Sequence, residues 1–244
     1  MMGRAGSSAF PGKNLYQVLG RPLAAYPLMA AKASRYVDRS YVSTDSPEIM
    51  ALARKNGAEI IERPPELATR EALGEDVYVH GYREIKRRLA QHGKTPDILV
   101  LLMANAATVT GAMIDQGIAI LRADRTVDSA VSTSAYNMWS PLRARRLMPD
   151  GCLQPFVPFE TFGDPATLNC DRDSQGDVYF ADMGVSVVQA RCLEQLESGL
   201  LPQKWMGRRI CPIPSWGGCD IDYEWQVPGV EFWLRKHGIE DAPR

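Results

Sequence analysis

Short β-branched runs alternate with helical patterns along most of this chain, and that alternation restricts its fold more than any other feature. Residues 37–43 read as a strand. Ser46, Pro47 and Glu48 then supply an N-cap, a proline at the first helical position and an acid in the first turn, and Gly57 stands where a helix ends in a left-handed residue. Residues 58–61 read as the next strand. Tyr78, Tyr82, Ile85 and Leu89 recur at helical spacing, and the nearly all-apolar run 97–102 reads as a buried strand. Thr110 is placed to cap a helix that carries Ile114, Ile118 and Leu121 on one face. Strands over 127–133, 178–188 and 209–213, a short helix over 192–196 and a last helix holding Val230, Trp233 and Leu234 complete the pattern. The expected class is α/β, with helices on the faces of a sheet.

A length of 244 residues suits one large domain, so a single domain over 1–244 is expected. After Ser134 the texture changes. Residues 136–176 are rich in Pro, Gly, aromatics and Arg with little periodicity, which marks an excursion that is functional or packs on a partner. The balance of 28 basic against 29 acidic side chains removes the long-range electrostatic argument for nucleic acid or an anionic membrane. The longest apolar run, 98–104, is far below the roughly 20 residues a membrane span needs. The first residues have no apolar core, so no secretory signal is expected and the chain reads as cytoplasmic. Five cysteines without a C-x-x-C pair fit reduced thiols, and His80, His92 and His237 have no metal-site spacing. A metal would therefore need carboxylates.

Two segments carry chemistry. G-R-A-G-S-S-A-F-P-G-K-N at 3–14 combines small residues, which let backbone N–H groups approach an anion, with Arg4, Ser7, Lys13 and Asn14 as cations and donors. It matches neither the P-loop nor the dinucleotide fingerprint. The competing reading is a flexible N-terminal tail. In G-G-C-D-I-D-Y-E-W at 217–225, Asp220 and Asp222 point the same way on an extended segment and offer paired oxygens to a hard ion such as Mg²⁺. The competing reading is an acidic loop with Asp222 as N-cap of the final helix. Together, a basic loop at one end of an α/β chain and a carboxylate pair near the other suit a nucleoside triphosphate with its metal.

These motifs, with S-T-D-S-P-E-I at 43–49 and R-P-P-E-L-A at 63–68, stand in the order of those in the acylneuraminate cytidylyltransferases, which the chain resembles most closely over 3–134. The resemblance implies a Rossmann-like mixed sheet of nucleotide-diphospho-sugar transferase architecture and a homodimer formed through a mid-chain arm, here about 136–176. It implies that Arg4, Ser7, Lys13 and Asn14 hold the phosphates of CTP, that Arg63 lies beside the nucleotide, and that Asp220 and Asp222 bind Mg²⁺. Arg4, Lys13, Asp220 and Asp222 are thus the expected catalytic set. The implied reaction joins CMP to the anomeric hydroxyl of a 2-keto sugar acid of the nonulosonic type and releases pyrophosphate. The alternatives are a transferase of the same fold with another nucleotide or acceptor, or a non-catalytic binding module.

The family's R-G-G-S-K-G reads R-A-G-S-S-A here, so Ser8 replaces a phosphate-binding lysine, a loss of about 1.5–3 kcal/mol unless Lys13, Arg63 or Arg70 substitutes. Met103 stands where a sugar-contacting glutamine is expected, leaving Asn105 to take that role or the acceptor to differ from sialic acid. Arg172, Gln175, Tyr179 and Phe180 fall roughly where the family binds its sugar, and the planar fork of Arg172 suits the acceptor carboxylate. Trp139, Phe156, Phe159, Phe162, Trp205 and Trp216 read as packing residues first, Arg143, Arg145 and Arg146 as a solvated or salt-bridged face, and His80 as a packed helix residue. Cys219, without a spaced His, is a poor nucleophile candidate. The family places an apolar strand ahead of the phosphate loop, where only Met1 and Met2 stand here. Unpaired strand edges and an open groove are expected beside them.

Overall fold

The computed structural model describes residues 1–6, 9–172 and 176–242. A small hairpin of β1 (Gln17–Val18) and β2 (Arg21–Pro22) precedes α1 (Ala25–Ala33). Then come β3 (Tyr41–Thr44), α2 (Pro47–Lys55), β4 (Glu59–Glu62), α3 (Gly74–Ala90), β5 (Ile98–Leu101), α4 (Gly111–Ala123) and β6 (Ser129–Ala135). A second hairpin, β7 (Arg145–Leu147) with β8 (Leu153–Pro155), lies in the excursion. β9 (Tyr179–Gln189), α5 (Ala190–Glu194), β10 (Ile210–Ser215) and α6 (Val227–Lys236) follow. The caps are those the sequence marks: Ser46 Oγ accepts from Ile49 N, and Thr110 Oγ1 accepts from Met113 N. The final helix departs from expectation, because Gln226 and not Asp222 is its N-cap.

The sheet is mixed. β10, β6, β9 and β5 lie in that order, with β9 antiparallel to both neighbours and β10 parallel to β6. β3 and β4 pair in parallel as a separate ribbon. Met2 joins the two parts through parallel bridges to Ser43 and Met103. Alternate residues of β5 go to opposite sides: Ile98 and Val100 pack with the cluster of Ile114, Leu121, Ile213 and Trp233, whereas Leu99 and Leu101 pack with Tyr78, Tyr82 and Trp205. Helices thus cover both faces, as the alternation requires. Among the described residues no helix is long and apolar enough to cross a membrane.

The expected gap beside the N-terminus is partly filled. Met1 and Gly3 continue the pairing, with Ser43 N donating to Met1 O at 2.9 Å and Ala104 N to Met2 O at 2.9 Å. Beside Met1 lies a groove of about 600 Å³ lined by Leu28, Val37, Tyr41, Ile98, Val100 and Ile118. The Met1 amine donates to Tyr41 O at 2.8 Å, and burial, with Arg63 adding to it, pushes its pKa down to about 5. Between that value and the ordinary 8.0 the unfolded chain binds a proton that the folded chain rejects, so stability rises with pH across this window. Four or five apolar residues fused ahead of Met1 should fill the groove as a strand and turn the ammonium into a peptide N–H. Differential scanning calorimetry should show a higher melting temperature and a weaker pH dependence between 5 and 8; no change in either would show that the groove does not take up a strand.

Candidate active site

The loop at the N-terminus is anchored and is no free tail. A Cβ on Gly3 would lie 2.6 Å from that of Ala104, so only glycine fits against the segment that follows β5. Ala5 N donates to Asp45 Oδ1 at 3.0 Å, and Asn14 Nδ2 donates to Arg4 O at 3.0 Å. Asn14 therefore braces the loop at the same time as it faces the cavity. Gly12 takes a left-handed φ of 73°, and Lys13–Leu15 form a single 3-10 turn.

That turn carries Lys13 across to the far end of the chain. Lys13 Nζ meets Asp222 Oδ1 at 2.5 Å, joining two motifs 209 residues apart. Arg63 is buried, with Nη2 donating to Ser43 O at 2.8 Å. Burial lowers its pKa, Asp45 acts against that, and the Arg4 cation lowers it further. Two guanidinium groups so placed favour an anion between them.

A cavity of about 290 Å³ is lined by Arg4, Lys13, Asn14, Arg63, Met103, Asn105 and Asp222, with Leu67, Ala72, Gly74 and Val77 forming an apolar wall beside Thr69. The wall has no sequence signal beyond the R-P-P-E-L-A motif beside it. Asp220 is tied to the same cavity through Asn105, whose Nδ2 donates to Asp220 Oδ2 at 3.3 Å and to Ile221 O at 3.1 Å. Burial, and then the Asp222 charge, raise the pKa of Asp220. Such a carboxylate pair gains from a cation. Among the described residues no three His, Cys, Asp or Glu side chains gather as a metal site. The donor set nevertheless fits Mg²⁺, which is held by one or two carboxylates when phosphate oxygens and water complete its shell.

The structure revises several expectations. Asn105, the candidate to face the acceptor, lines the cavity, and its Nδ2 donates to Asp220 Oδ2 and Ile221 O. Arg172 and Tyr179 do not line the cavity. Arg172 lies exposed in the excursion, and Tyr179, 60% exposed, donates from its hydroxyl to Asp177. Ser7, Ser8 and Gln175 lie outside the described residues. Arg145 and Arg146 are exposed, in keeping with a solvated face, and sit over the rings of Phe159 and Phe156. Trp205 is core, edge-on to Tyr78. The Cys219 thiol is pushed up to about 11 by burial and then by Asp220, Asp182 and Asp222, which removes it as a nucleophile.

Residues 2–76 match the sequence profile of the family described as cytidylyltransferase. Over that segment, about a third of its length, the chain resembles that family. It is 36% identical over 77 residues to the N-acylneuraminate cytidylyltransferase of Escherichia coli O18:K1:H7, a match that takes in 32% of this chain and 18% of that protein. It is 28% identical over 127 residues to the 3-deoxy-manno-octulosonate cytidylyltransferase of Bdellovibrio bacteriovorus, covering 52% of this chain and 46% of that one. The match thus spans less than half the length of either relative. Among solved structures, a CMP:2-keto-3-deoxy-manno-octonic acid synthetase complexed with CTP superposes over 97% of both chains with a TM-score of 0.62 at 16% identity. The mixed α/β fold is therefore that of a cytidylyltransferase. The family segment supplies Arg4, Lys13, Asn14 and Arg63, and the rest of the chain brings the aspartates to them.

Proposed function

We propose that this chain is a cytidylyltransferase that transfers CMP from CTP to the anomeric hydroxyl of a 2-keto sugar acid of the nonulosonic type. The observation that carries the reading is the convergence of Arg4, Lys13, Asn14 and Arg63 with the Asp220–Asp222 loop around one cavity. A triphosphate needs cations and donors at such a point, and a hard metal needs carboxylates beside it. The hydroxyl oxygen attacks the α-phosphorus and gives up its proton to solvent, a new P–O bond forms, the bond to the bridging oxygen breaks, and pyrophosphate leaves. Arg4 and Lys13 hold the oxygens on which charge builds, and Arg63 orients the nucleotide from its buried seat. Mg²⁺ on Asp220 and Asp222, when bound, neutralises phosphate charge.

The relatives' names support a sugar-acid acceptor, and Met103 in the cavity favours one that makes fewer polar contacts than sialic acid. The excursion is proposed to form a homodimer: Leu147, Leu153 and Phe156 stand exposed on the β7–β8 hairpin and its continuation. The decisive experiment follows pyrophosphate from CTP, UTP, GTP and ATP with Mg²⁺ and a panel of 2-keto sugar acids. CTP with one sugar acid should dominate. Preference for another nucleotide, or no turnover and no CTP binding, would overturn the reading.

A further inference from the structure

β9 is not a regular strand. Against β6, Val131 faces Ser186 and Thr133 faces Ala181, so two steps on β6 correspond to five on β9. Within this bulge Met183 takes a left-handed φ of 62°, which costs a side-chain-bearing residue on the order of 1–3 kcal/mol. Bulges next to functional sites re-aim side chains. Here the bulge contains Asp182, which is buried, and no cation is paired with it among the described residues.

The carboxylate is held by donors instead. Ser134 Oγ donates to Asp182 Oδ2 at 2.8 Å, Ser132 Oγ donates to Oδ1, and Gly184 N donates to Oδ1 at 3.2 Å. The same Ser134 Oγ accepts from Gly218 N at 3.2 Å, two residues before Asp220. A Cβ on Gly218 would lie 2.3 Å from Asp182 Oδ2, so the loop rests directly on the carboxylate. On its other side Cys219 N donates to Thr108 Oγ1 at 3.1 Å.

We infer that Asp182 is a positioning residue that, through Ser134 and Gly218, sets the loop on which Asp220 and Asp222 meet their metal. The inference rests on the metal-assisted reading above. A negative group directs the Ser134 hydroxyl hydrogen toward itself, which leaves the oxygen lone pairs facing Gly218 N–H. The strain at Met183 is retained because it turns Asp182 under the loop.

The test is Mn²⁺ binding in the presence of CTP, read by electron paramagnetic resonance, with CTP affinity in EDTA measured by calorimetry. Asp182→Asn should weaken Mn²⁺ at least fivefold and leave metal-free CTP affinity within twofold, since the cations of the N-terminal loop are untouched. Ser134→Ala keeps the charge but cuts the link to Gly218, and should weaken Mn²⁺ at least threefold, with Ser134→Thr restoring it. Wild-type Mn²⁺ affinity in Ser134→Ala overturns the inference, whether or not Asp182→Asn folds, because charge without positioning would then suffice. A wild-type chain that binds CTP but no Mn²⁺ overturns the metal-assisted reading itself.

Discussion

Asp220→Asn should lower pyrophosphate release a hundredfold or more while leaving the melting temperature equal to or above that of the wild type. The two halves of this result have one cause. Asp220 is half-buried, is repelled by Asp222, and has its pKa raised by desolvation first and by that charge second. Its charge is therefore disfavoured in the empty fold, where Lys13 and the Asn105 amide offset only part of the cost, and a bound cation would favour it. The neutral amide removes that cost and keeps the shape, whereas the reaction loses charge neutralisation worth about 2.7 kcal/mol for each hundredfold in rate. Activity assays and a thermal melt on the same preparation check both halves. A variant that melts much lower while its remaining folded fraction turns over normally would show Asp220 to be structural.

Lys13→Ala should weaken CTP binding tenfold or more with little change in melting temperature. The ammonium is a point charge at the cavity, and a hydrogen bond to a charged group contributes about 1.5–3 kcal/mol. Its partner in the structure, Asp222, has a half-exposed side chain, so the ion pair itself adds little to stability. That pair has a second consequence. In EDTA, Asp222→Asn frees Lys13 for phosphate and should bind CTP more tightly than the wild type. It should also exceed Asp220→Asn, which removes the same charge without releasing the lysine. Calorimetry of the three variants separates the two effects. Equal gains from both aspartate changes would reduce the effect to net charge alone.

Much of the fold is legible in the sequence because helix and strand ends are decided locally. Ser46 bonds a backbone N–H three residues on, and so does Thr110. The apolar spacing of Ile114, Ile118 and Leu121 fixes a buried face whatever it packs against. α1 is the counterexample. Ala25, Tyr26, Pro27, Leu28, Ala30 and Ala31 are all buried, so the helix is apolar nearly all round and gives no amphipathic period to read.

The candidate site divides in the same way. The sequence by itself determined which residues could hold a triphosphate, because the glycines, cations and amide of that loop lie within a dozen positions and their chemistry is local. It also paired Asp220 with Asp222 two positions apart. Only the tertiary structure decided that these motifs meet, that the Asn105 amide ties the aspartate loop to the cavity, and that a bulge in β9 puts Asp182 beneath Gly218. Those contacts join residues from 36 to 209 positions apart. They depend on the order of strands in the sheet, which no local pattern of side chains encodes.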